Sequence, residues 1–181
     1  MSIVESKLGK ELTPDEVKVI SKYKVREFGT SPLDEKDNSK YRNHLFFLIK
    51  SKKGKILSFG RLVRYVIGFN SKKYDIYGIK TIVSVVRKKG YGKKLVQAMK
   101  EFVINTGKTG IGFCGPKLSS FYIKNGLQIL KNEAGRFVEE KITSRDDTCE
   151  DDVIYQEGKD SLIEEIKKKP KKLIFLPRKR W

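Results

Sequence analysis

The stretch Arg87–Gly92, read Arg-Lys-Lys-Gly-Tyr-Gly, most constrains what this chain can form. Before it, Tyr74–Val86 is rich in β-branched and aromatic residues, which is typical of a strand. After it, apolar residues recur at helical spacing over Lys93–Asn105; they are Leu95, Val96, Met99, Phe102 and Val103. The sequence therefore predicts a strand that enters a basic loop containing glycine, and a helix that begins directly after that loop.

Such an arrangement is suited to binding phosphate. Backbone N–H groups and the positive end of the helix dipole point to one place, and Gly90 and Gly92 allow a tight turn with close approach of a ligand. Five cationic side chains surround the loop: Arg87, Lys88, Lys89, Lys93 and Lys94. The alternative is an ordinary tight turn between strand and helix with solvated lysines. The six residues alone do not decide between the two interpretations.

Composition limits the class of protein. At 181 residues the chain is long enough for one domain, which we place over 1–181, with a sizeable core. A net charge of +18 favours anionic partners and argues against a strongly cationic small substrate. No apolar run approaches the roughly 20 residues that span a bilayer, and the first residues lack a signal-peptide core, so we expect no membrane association.

Cysteine and histidine usage points to a reducing compartment. Cys114 and Cys149, with a single histidine, are too few for a disulfide framework or an ordinary zinc site. We therefore expect a cytoplasmic protein without a bound metal. Cys114 lies in an apolar strand with no histidine near it in sequence, which favours a structural cysteine over an acyl-carrying nucleophile.

The first half of the chain predicts one helix and a meander. Thr13 is the N-cap of a helix that ends at Gly29, with Val17, Ile20, Tyr23 and Phe28 directed inward. The polar stretch Ser31–Asn43 is a loop; it either borders a substrate site or is a solvated connection, which we favour. Strands over His44–Lys50 and Ile56–Phe69, and the strand before Arg87, follow with short polar turns and predict an antiparallel meander.

The second half predicts a parallel pair and shorter elements. The strand Ile111–Cys114 follows the helix, so a βαβ crossover makes it parallel to the strand before the loop. Helices are predicted over Leu118–Asn125 and Lys159–Lys169. Short strands are predicted at Leu127–Leu130, Arg136–Ile142, Val153–Tyr155 and Leu173–Leu176. The fold class is α+β: a mixed, mostly antiparallel central sheet with one parallel strand pair, flanked by helices.

Two motifs resemble the GNAT (Gcn5-related) N-acetyltransferases. The family's Arg/Gln-x-x-Gly-x-Gly/Ala core is met by Arg87, Gly90 and Gly92. Further on, Phe121–Leu127 is similar to the family's Phe/Leu-Tyr-x-x-x-Gly-Phe segment. The resemblance covers residues 76–130 and implies the acyl-CoA N-acyltransferase fold, with acetyl-CoA as acyl donor.

The resemblance implies roles for particular residues. The strand before the loop offers backbone hydrogen bonds to the pantetheine arm, and the loop N–H groups grip the pyrophosphate. Tyr122 matches the tyrosine that protonates the departing CoA thiolate, a role that suits a phenol; the alternative is a tyrosine that only packs its ring. The implied cofactor-binding residues are Ile82, Val83, Ser84, Arg87, Lys88, Lys89, Gly90, Tyr91, Gly92 and Lys93.

The chain departs from the family pattern at two places. The glutamate that often acts as base through water is absent, and Asp75 is the nearest carboxylate; it is either that base or, as we favour, a turn residue. A frequent asparagine is also missing, with Gly115 close to its place. The C-terminal pattern and the terminal tryptophan resemble, weakly, a GNAT subset that includes aminoglycoside 2′-N-acetyltransferases. For such a cationic substrate, the carboxylates of Asp146–Asp152 offer an acidic pocket.

The resemblance thus implies an enzyme that transfers an acetyl group to the amine of a small molecule or peptide, as a monomer or homodimer. The competing interpretation is a non-catalytic module whose basic surface binds nucleic acid or an acidic partner. Its support comes from Lys167–Lys172 and Arg178–Arg180, although no nucleic-acid motif is present.

Overall fold

The computed structural model describes residues 2–34 and 36–177, and these form two compact units. The first contains the described residues up to Val63 together with Lys80–Met99, and the second contains Arg64–Ile79 and the described residues from Lys100 onward. The elements in chain order are β1 (Ser2–Leu8), α1 (Pro14–Phe28), β2 (Leu45–Ser51), β3 (Ile56–Phe69), β4 (Lys72–Ser84), α2 (Tyr91–Thr106), β5 (Gly110–Cys114), α3 (Ser119–Lys124), β6 (Gln128–Leu130), β7 (Phe137–Glu139), β8 (Asp152–Gln156), α4 (Leu162–Lys168) and β9 (Ile174–Leu176). No helix among the described residues is both long enough and apolar enough to cross a membrane.

In the first unit, β1, β2 and β3 form an antiparallel sheet, with Val4 opposite Ile49 and Phe47 opposite Gly60. Helix α1 buries Val17 and Ile20 in a core that it shares with Phe46, Leu48, Phe59 and Val83. Burial of each large aliphatic or aromatic side chain of this kind contributes about 1.5–3 kcal/mol. The predicted meander strands are β2, β3 and β4, which are neighbours in the sheet in that order, and β1 adds a further strand beside β2. Apolar residues of the three meander strands contribute to this core.

The bounds of α1 agree with its capping signals. Glu16 N–H donates to the Thr13 hydroxyl over 3.3 Å, and Thr13 N–H donates to the Glu16 carboxylate over 2.8 Å, as a capping box requires. Gly29 ends the helix in the left-handed region at φ 60°. The prediction that Phe28 points inward is wrong: this last residue of the helix is 48% exposed, whereas Val17 and Ile20 are buried.

The loop between α1 and β2 is held by buried contacts. Ser21 accepts a hydrogen bond from Leu33 N–H over 3.0 Å, and the Tyr41 hydroxyl donates to the carbonyl of Asp34 over 2.7 Å. Leu33 and Tyr41 are both buried. The predicted loop is thus confirmed, and apart from these two anchoring residues most of its described residues are exposed, in agreement with the favoured solvated connection.

In the second unit, β4 and β5 are parallel, with Tyr77 opposite Gly110 and Gly78 opposite Ile111. This confirms the predicted βαβ crossover. Strand β8 pairs antiparallel with both β5 and β6, and β9 pairs antiparallel with the end of β3. The predicted mixed sheet is confirmed. A second short parallel pair, β7 with β9, joins segments far apart in sequence, so local patterns did not indicate it.

Close packing positions β5 in this unit. A Cβ added at Gly112 would lie 2.8 Å from the carbonyl oxygen of Ile79, and one added at Gly110 would lie 3.0 Å from a methyl group of Val103. Those distances leave no space for a side chain. The glycines of β5 therefore allow the neighbouring strand and the second half of α2 to approach its backbone.

Candidate functional site

The loop between β4 and α2 contains two left-handed residues. Lys88 and Gly90 are both left-handed, at φ 58° and 76°. Alternation of left- and right-handed residues turns successive N–H groups to one side, the concave arrangement called a nest. Lys94 N–H donates to the Gly90 carbonyl over 3.1 Å, so Gly90 stands at the start of α2 and the first N–H groups of the helix have no intrahelical acceptor.

Left-handed backbone at Lys88 is unexpected. A residue with a Cβ pays roughly 1–2 kcal/mol for this conformation. Strain of this kind is concentrated at ligand sites, where the surrounding structure maintains it. Sequence reasoning placed only the glycines in special conformations, because no propensity marks a lysine for positive φ.

The side chains of the loop present positive charge to solvent. Arg87, Lys88, Lys89 and Lys93 are exposed, and the first turn of α2 contains no acidic residue. The Arg87 guanidinium pairs with Glu27 over 2.8 Å, and at 69% exposure such a pair contributes little to stability. Within the described residues, no carboxylate pairs with Lys88, Lys89 or Lys93. These cations are therefore available to an anion.

The end of β4 is anchored next to this loop. The Ser58 hydroxyl, fully buried, donates to the Val83 carbonyl over 2.8 Å, and Val86 N–H donates to the Leu57 carbonyl over 3.0 Å. Thr81 has φ 55° although β4 runs unbroken from Lys72 to Ser84, and Ile82, Val83 and Ser84 follow it as the last residues of the strand. Nothing in the residue pattern of β4 indicated a left-handed residue there.

Tyr122 lies on α3 in the second unit and is 7% exposed. Burial, with a smaller contribution from Cys114, raises the pKa of the Tyr122 phenol to about 12. Its backbone carbonyl accepts hydrogen bonds from Asn125 N–H over 3.0 Å and Leu127 N–H over 3.1 Å, which closes the short helix before Gly126 turns left-handed at φ 82°. The phenol therefore keeps its proton at neutral pH and is oriented by a fixed backbone.

Three buried polar groups lie on elements adjacent to Tyr122. Ser119, at the start of α3, donates a hydrogen bond to the Asp152 carboxylate, which also accepts from Asn132 N–H over 2.8 Å. The Cys114 sulfur is 3.8 Å from the Ser119 hydroxyl oxygen. Burial raises the pKa of the Cys114 thiol, and the Asp152 carboxylate adds to this effect. A thiol that resists ionisation agrees with a structural cysteine, as predicted.

Sequence reasoning missed the connection between Ser119 and Asp152. Asp152 was treated as one of a run of acidic residues, yet it is buried and hydrogen-bonded, whereas Asp147 and Glu150 are exposed. The apolar stretch that directly follows Asp152 could have indicated its burial. A carboxylate at the start of a buried strand needs hydrogen-bond donors from within the protein. No group of three or more potential metal ligands occurs in the part of the chain that the structure describes.

Asp75 is not a turn residue, contrary to the interpretation favoured from the sequence. It lies inside β4, where Arg64 holds both carboxylate oxygens and Lys108 Nζ approaches to 2.5 Å. The hydrogen bonds from Arg64, followed by those from Lys108, lower the pKa of Asp75 to about 2. A carboxylate so strongly held as an anion is a weak proton acceptor.

The basic C-terminal run is partly engaged inside the second unit. Lys167 donates to the Tyr155 hydroxyl over 2.9 Å, Lys169 pairs with Glu165 over 3.6 Å, and Lys172 donates to Asn70 over 3.0 Å. Arg178–Arg180 and Trp181, on which part of the nucleic-acid interpretation rests, lie outside the described residues.

Of the comparisons with known proteins, only the one with solved structures identifies the fold. No known family model matches the sequence, and no curated protein matches it in sequence. Among solved structures, the chain is similar to Escherichia coli ElaA, with a TM-score of 0.58 and 12% identity over 87% of this chain and 100% of that one.

The chain is also similar to two solved structures whose names state an activity or a ligand. An acyl-CoA N-acyltransferase from Pseudomonas aeruginosa has a TM-score of 0.57 and 14% identity, over 85% of this chain and 99% of that one. The GNAT family N-acetyltransferase YhbS from E. coli, solved in complex with CoA, has a TM-score of 0.53 and 13% identity, over 84% of this chain and 79% of that one. This chain therefore has the GNAT fold, the fold of the acyl-CoA N-acyltransferases.

Proposed function

We propose that this protein is an N-acetyltransferase that moves the acetyl group of acetyl-CoA to the amine of a small molecule or peptide. The observation that carries the proposal is the loop before α2, where left-handed Lys88 and Gly90 stand beside exposed cations at the start of a helix. The fold shared with a CoA-bound neighbour supports a CoA pyrophosphate as its ligand. N–H groups of residues 87–93 then bind the pyrophosphate, and the backbone of Ile82, Val83 and Ser84 binds the pantetheine arm.

The proposed reaction is direct transfer in a ternary complex. The amine nitrogen attacks the thioester carbonyl carbon, and the tetrahedral intermediate collapses as the C–S bond breaks and its electron pair leaves on sulfur. The amine loses a proton to solvent, and the Tyr122 phenol donates a proton to the CoA thiolate, leaving free CoA and an amide. The Tyr122 phenolate then regains a proton from solvent, which restores the enzyme. Asp75 has no part in this scheme because Arg64 and Lys108 hold it as a weakly basic anion.

The pKa of Tyr122, about 12, bears on its proposed role as acid. An unperturbed thiol has a pKa near 8.5, so transfer from such a phenol to a solvated thiolate is unfavourable. The proposed transfer must therefore be coupled to cleavage of the C–S bond, so that the sulfur is protonated as its negative charge develops.

Two measurements test the proposal. Acetyl-CoA at about 100 times its Kd should stabilise the protein by about 2.7 kcal/mol, which a thermal melt detects. A panel of amines assayed for release of free CoA should then identify an acceptor. If millimolar acetyl-CoA leaves the melting temperature unchanged, the proposed function is wrong.

The proton donor is tested by Tyr122→Phe with a matched control. General acid catalysis contributes roughly 10²–10⁴ in rate, so the variant should lose at least about 100-fold in kcat where chemistry limits turnover. Tyr155→Phe removes the hydroxyl of another buried tyrosine, one that accepts a hydrogen bond from Lys167, and should keep its turnover. Full activity in Tyr122→Phe would remove the assigned role without affecting the proposal for CoA binding.

A further inference from the structure

A groove of about 430 Å³ lies in the first unit between α1, the turn joining β2 to β3, and Val85. Its apolar lining consists of Val19, Tyr23, Ile56 and Val85. Ile56 belongs to the hydrophobic core, and the other three pack against that core while remaining half-buried. The volume lies within the roughly 300–1,000 Å³ of small-molecule sites.

The rim of this groove is positively charged. Lys22, Lys53 and Lys55 line it and are exposed, and no carboxylate within the described ranges forms an ion pair with any of them. Asp15 is an exposed anion on the same rim. Three cations against this one carboxylate leave the rim at +2 before Glu16 is considered.

Glu16 also lines the groove, but its charge is already balanced. Lys50 lies 2.5 Å and Lys7 3.2 Å from one of its oxygens, and Thr13 N–H donates to the other over 2.8 Å. These contacts lower the pKa of Glu16 although burial opposes them, and they direct the carboxylate toward β1 and β2. Glu16 therefore does not cancel the attraction of the rim lysines for an anion.

We propose that this groove binds a small organic anion with an apolar body, of the class of aryl or branched-chain carboxylates. The body packs on Val19, Tyr23 and Val85, and the carboxylate meets the ammonium groups of Lys53, Lys55 and Lys22. Lysine suits this geometry because its long stem lies along apolar surface while its head stays at the rim. This site is distinct from the proposed pyrophosphate site, because none of residues 87–93 lines the groove.

The charge requirement is tested with a matched pair of probes on the full chain. We use 4-phenylbutyrate and its uncharged amide, 4-phenylbutyramide, in calorimetric or NMR titrations at low ionic strength. The carboxylate is expected to bind at least about fivefold more tightly than the amide, with the difference shrinking as salt rises. Equal affinity for both probes, or no detectable binding of the carboxylate, would overturn the proposal.

The location is tested with variants. Lys53→Gln combined with Lys55→Gln should weaken 4-phenylbutyrate about fivefold, because two exposed ionic contacts are removed. Lys52→Gln removes a neighbouring exposed lysine that does not line the groove and should leave the affinity unchanged. Val19→Asp, which places an anion on the apolar lining, should abolish binding. If Lys52→Gln weakens binding as much as the double variant, the effect is general charge and the groove is not the site.

Independence from the acetyl-CoA site is tested in the same titrations. Saturating acetyl-CoA should leave the Kd of 4-phenylbutyrate unchanged. Displacement of the probe by acetyl-CoA would show that the groove belongs to the CoA site. That result would overturn the proposal of a separate anion site. Because these titrations need no turnover, they give a result whether or not the acetyltransferase proposal holds.

Discussion

Replacement of Gly90 by alanine separates the role of loop geometry from that of loop charge. Gly90 has φ 76° and a Cβ added there would meet no atom within 4 Å, so the substitution introduces strain without a clash. Alanine in the left-handed region costs about 1 kcal/mol, and the exposed free loop avoids this cost by relaxing, so the melting temperature should stay close to the wild-type value. Every charge of the loop is retained.

The same strain sets the expected loss of affinity. In Gly90→Ala the free loop relaxes into right-handed or extended backbone, and the N–H groups of the nest must be reassembled when acetyl-CoA binds. Restoring the left-handed conformation at residue 90 costs about 1 kcal/mol on binding, which corresponds to roughly a fivefold higher Kd for acetyl-CoA. Calorimetric titration with acetyl-CoA measures this difference directly.

Gly29 offers a matched control. It has φ 60°, a Cβ added there also meets nothing within 4 Å, and it ends α1 outside the loop. Its N–H donates to the Val25 carbonyl, which holds the left-handed conformation in the free protein. Gly29→Ala should therefore lose about 1 kcal/mol of stability, or about 2–4 °C in melting temperature, and keep its affinity for acetyl-CoA. Two results would refute the reasoning: equal weakening of binding in both variants, or wild-type affinity in Gly90→Ala at reduced stability.

The remaining predictions concern charged groups of the second unit. Because Arg64 and Lys108 lower the pKa of Asp75 to about 2, below its usual 3.8, this carboxylate stabilises the protein above pH 4 by at most about 2 kcal/mol, and the contribution is lost as pH falls from 4 to 2. In Asp75→Asn, the free energy of unfolding should depend less on pH between 4 and 2, and acetyl transfer should be unchanged. A large loss of kcat would instead show that Asp75 acts as the general base. The Arg136 guanidinium donates to the carbonyls of Lys169 and Lys172 over 2.7 and 2.9 Å and pairs with Glu133 over 2.6 Å, at 4% exposure of its side chain. Arg136→Met should cost about 3 kcal/mol in denaturant unfolding and Arg136→Lys less; a neutral Arg136→Met would show that α4 and the segment after it hold without this arginine.

Local chemistry made the central elements predictable. Strand, loop and helix around Arg87–Gly92, and the crossover from β4 to β5, depend on residues close in sequence with strong periodicity. The caps of α1 were readable at Thr13 and Gly29 for the same reason. Within these elements the sequence also indicated which residues would surround the loop.

What could not be predicted depends on contacts between distant residues. Asp75 resembled a turn residue because aspartate is rare in strands, and only Arg64 and Lys108 make its place in β4 favourable. Likewise, the buried position of Asp152 depends on Ser119, which precedes it by a long stretch of chain. The left-handed backbone of Lys88 and Thr81 opposes the propensity of both residues, so tertiary structure alone maintains it.

The distribution of the cations explains more than their number. A net charge of +18 suggested anionic partners in general, yet several basic residues are committed to internal acceptors: Lys7 and Lys50 to Glu16, Lys108 to Asp75, and Arg136 to backbone carbonyls. A cation with an internal partner attracts ligands weakly, because its field is already compensated. The cations that remain without a carboxylate partner among the described residues include Lys88, Lys89 and Lys93 beside the nest, and Lys22, Lys53 and Lys55 around the apolar groove. Under the two proposals, selectivity for an anion follows from what lies beside each group of lysines. N–H groups at the start of a helix favour a phosphate, and an apolar lining favours a carboxylate with a hydrophobic body.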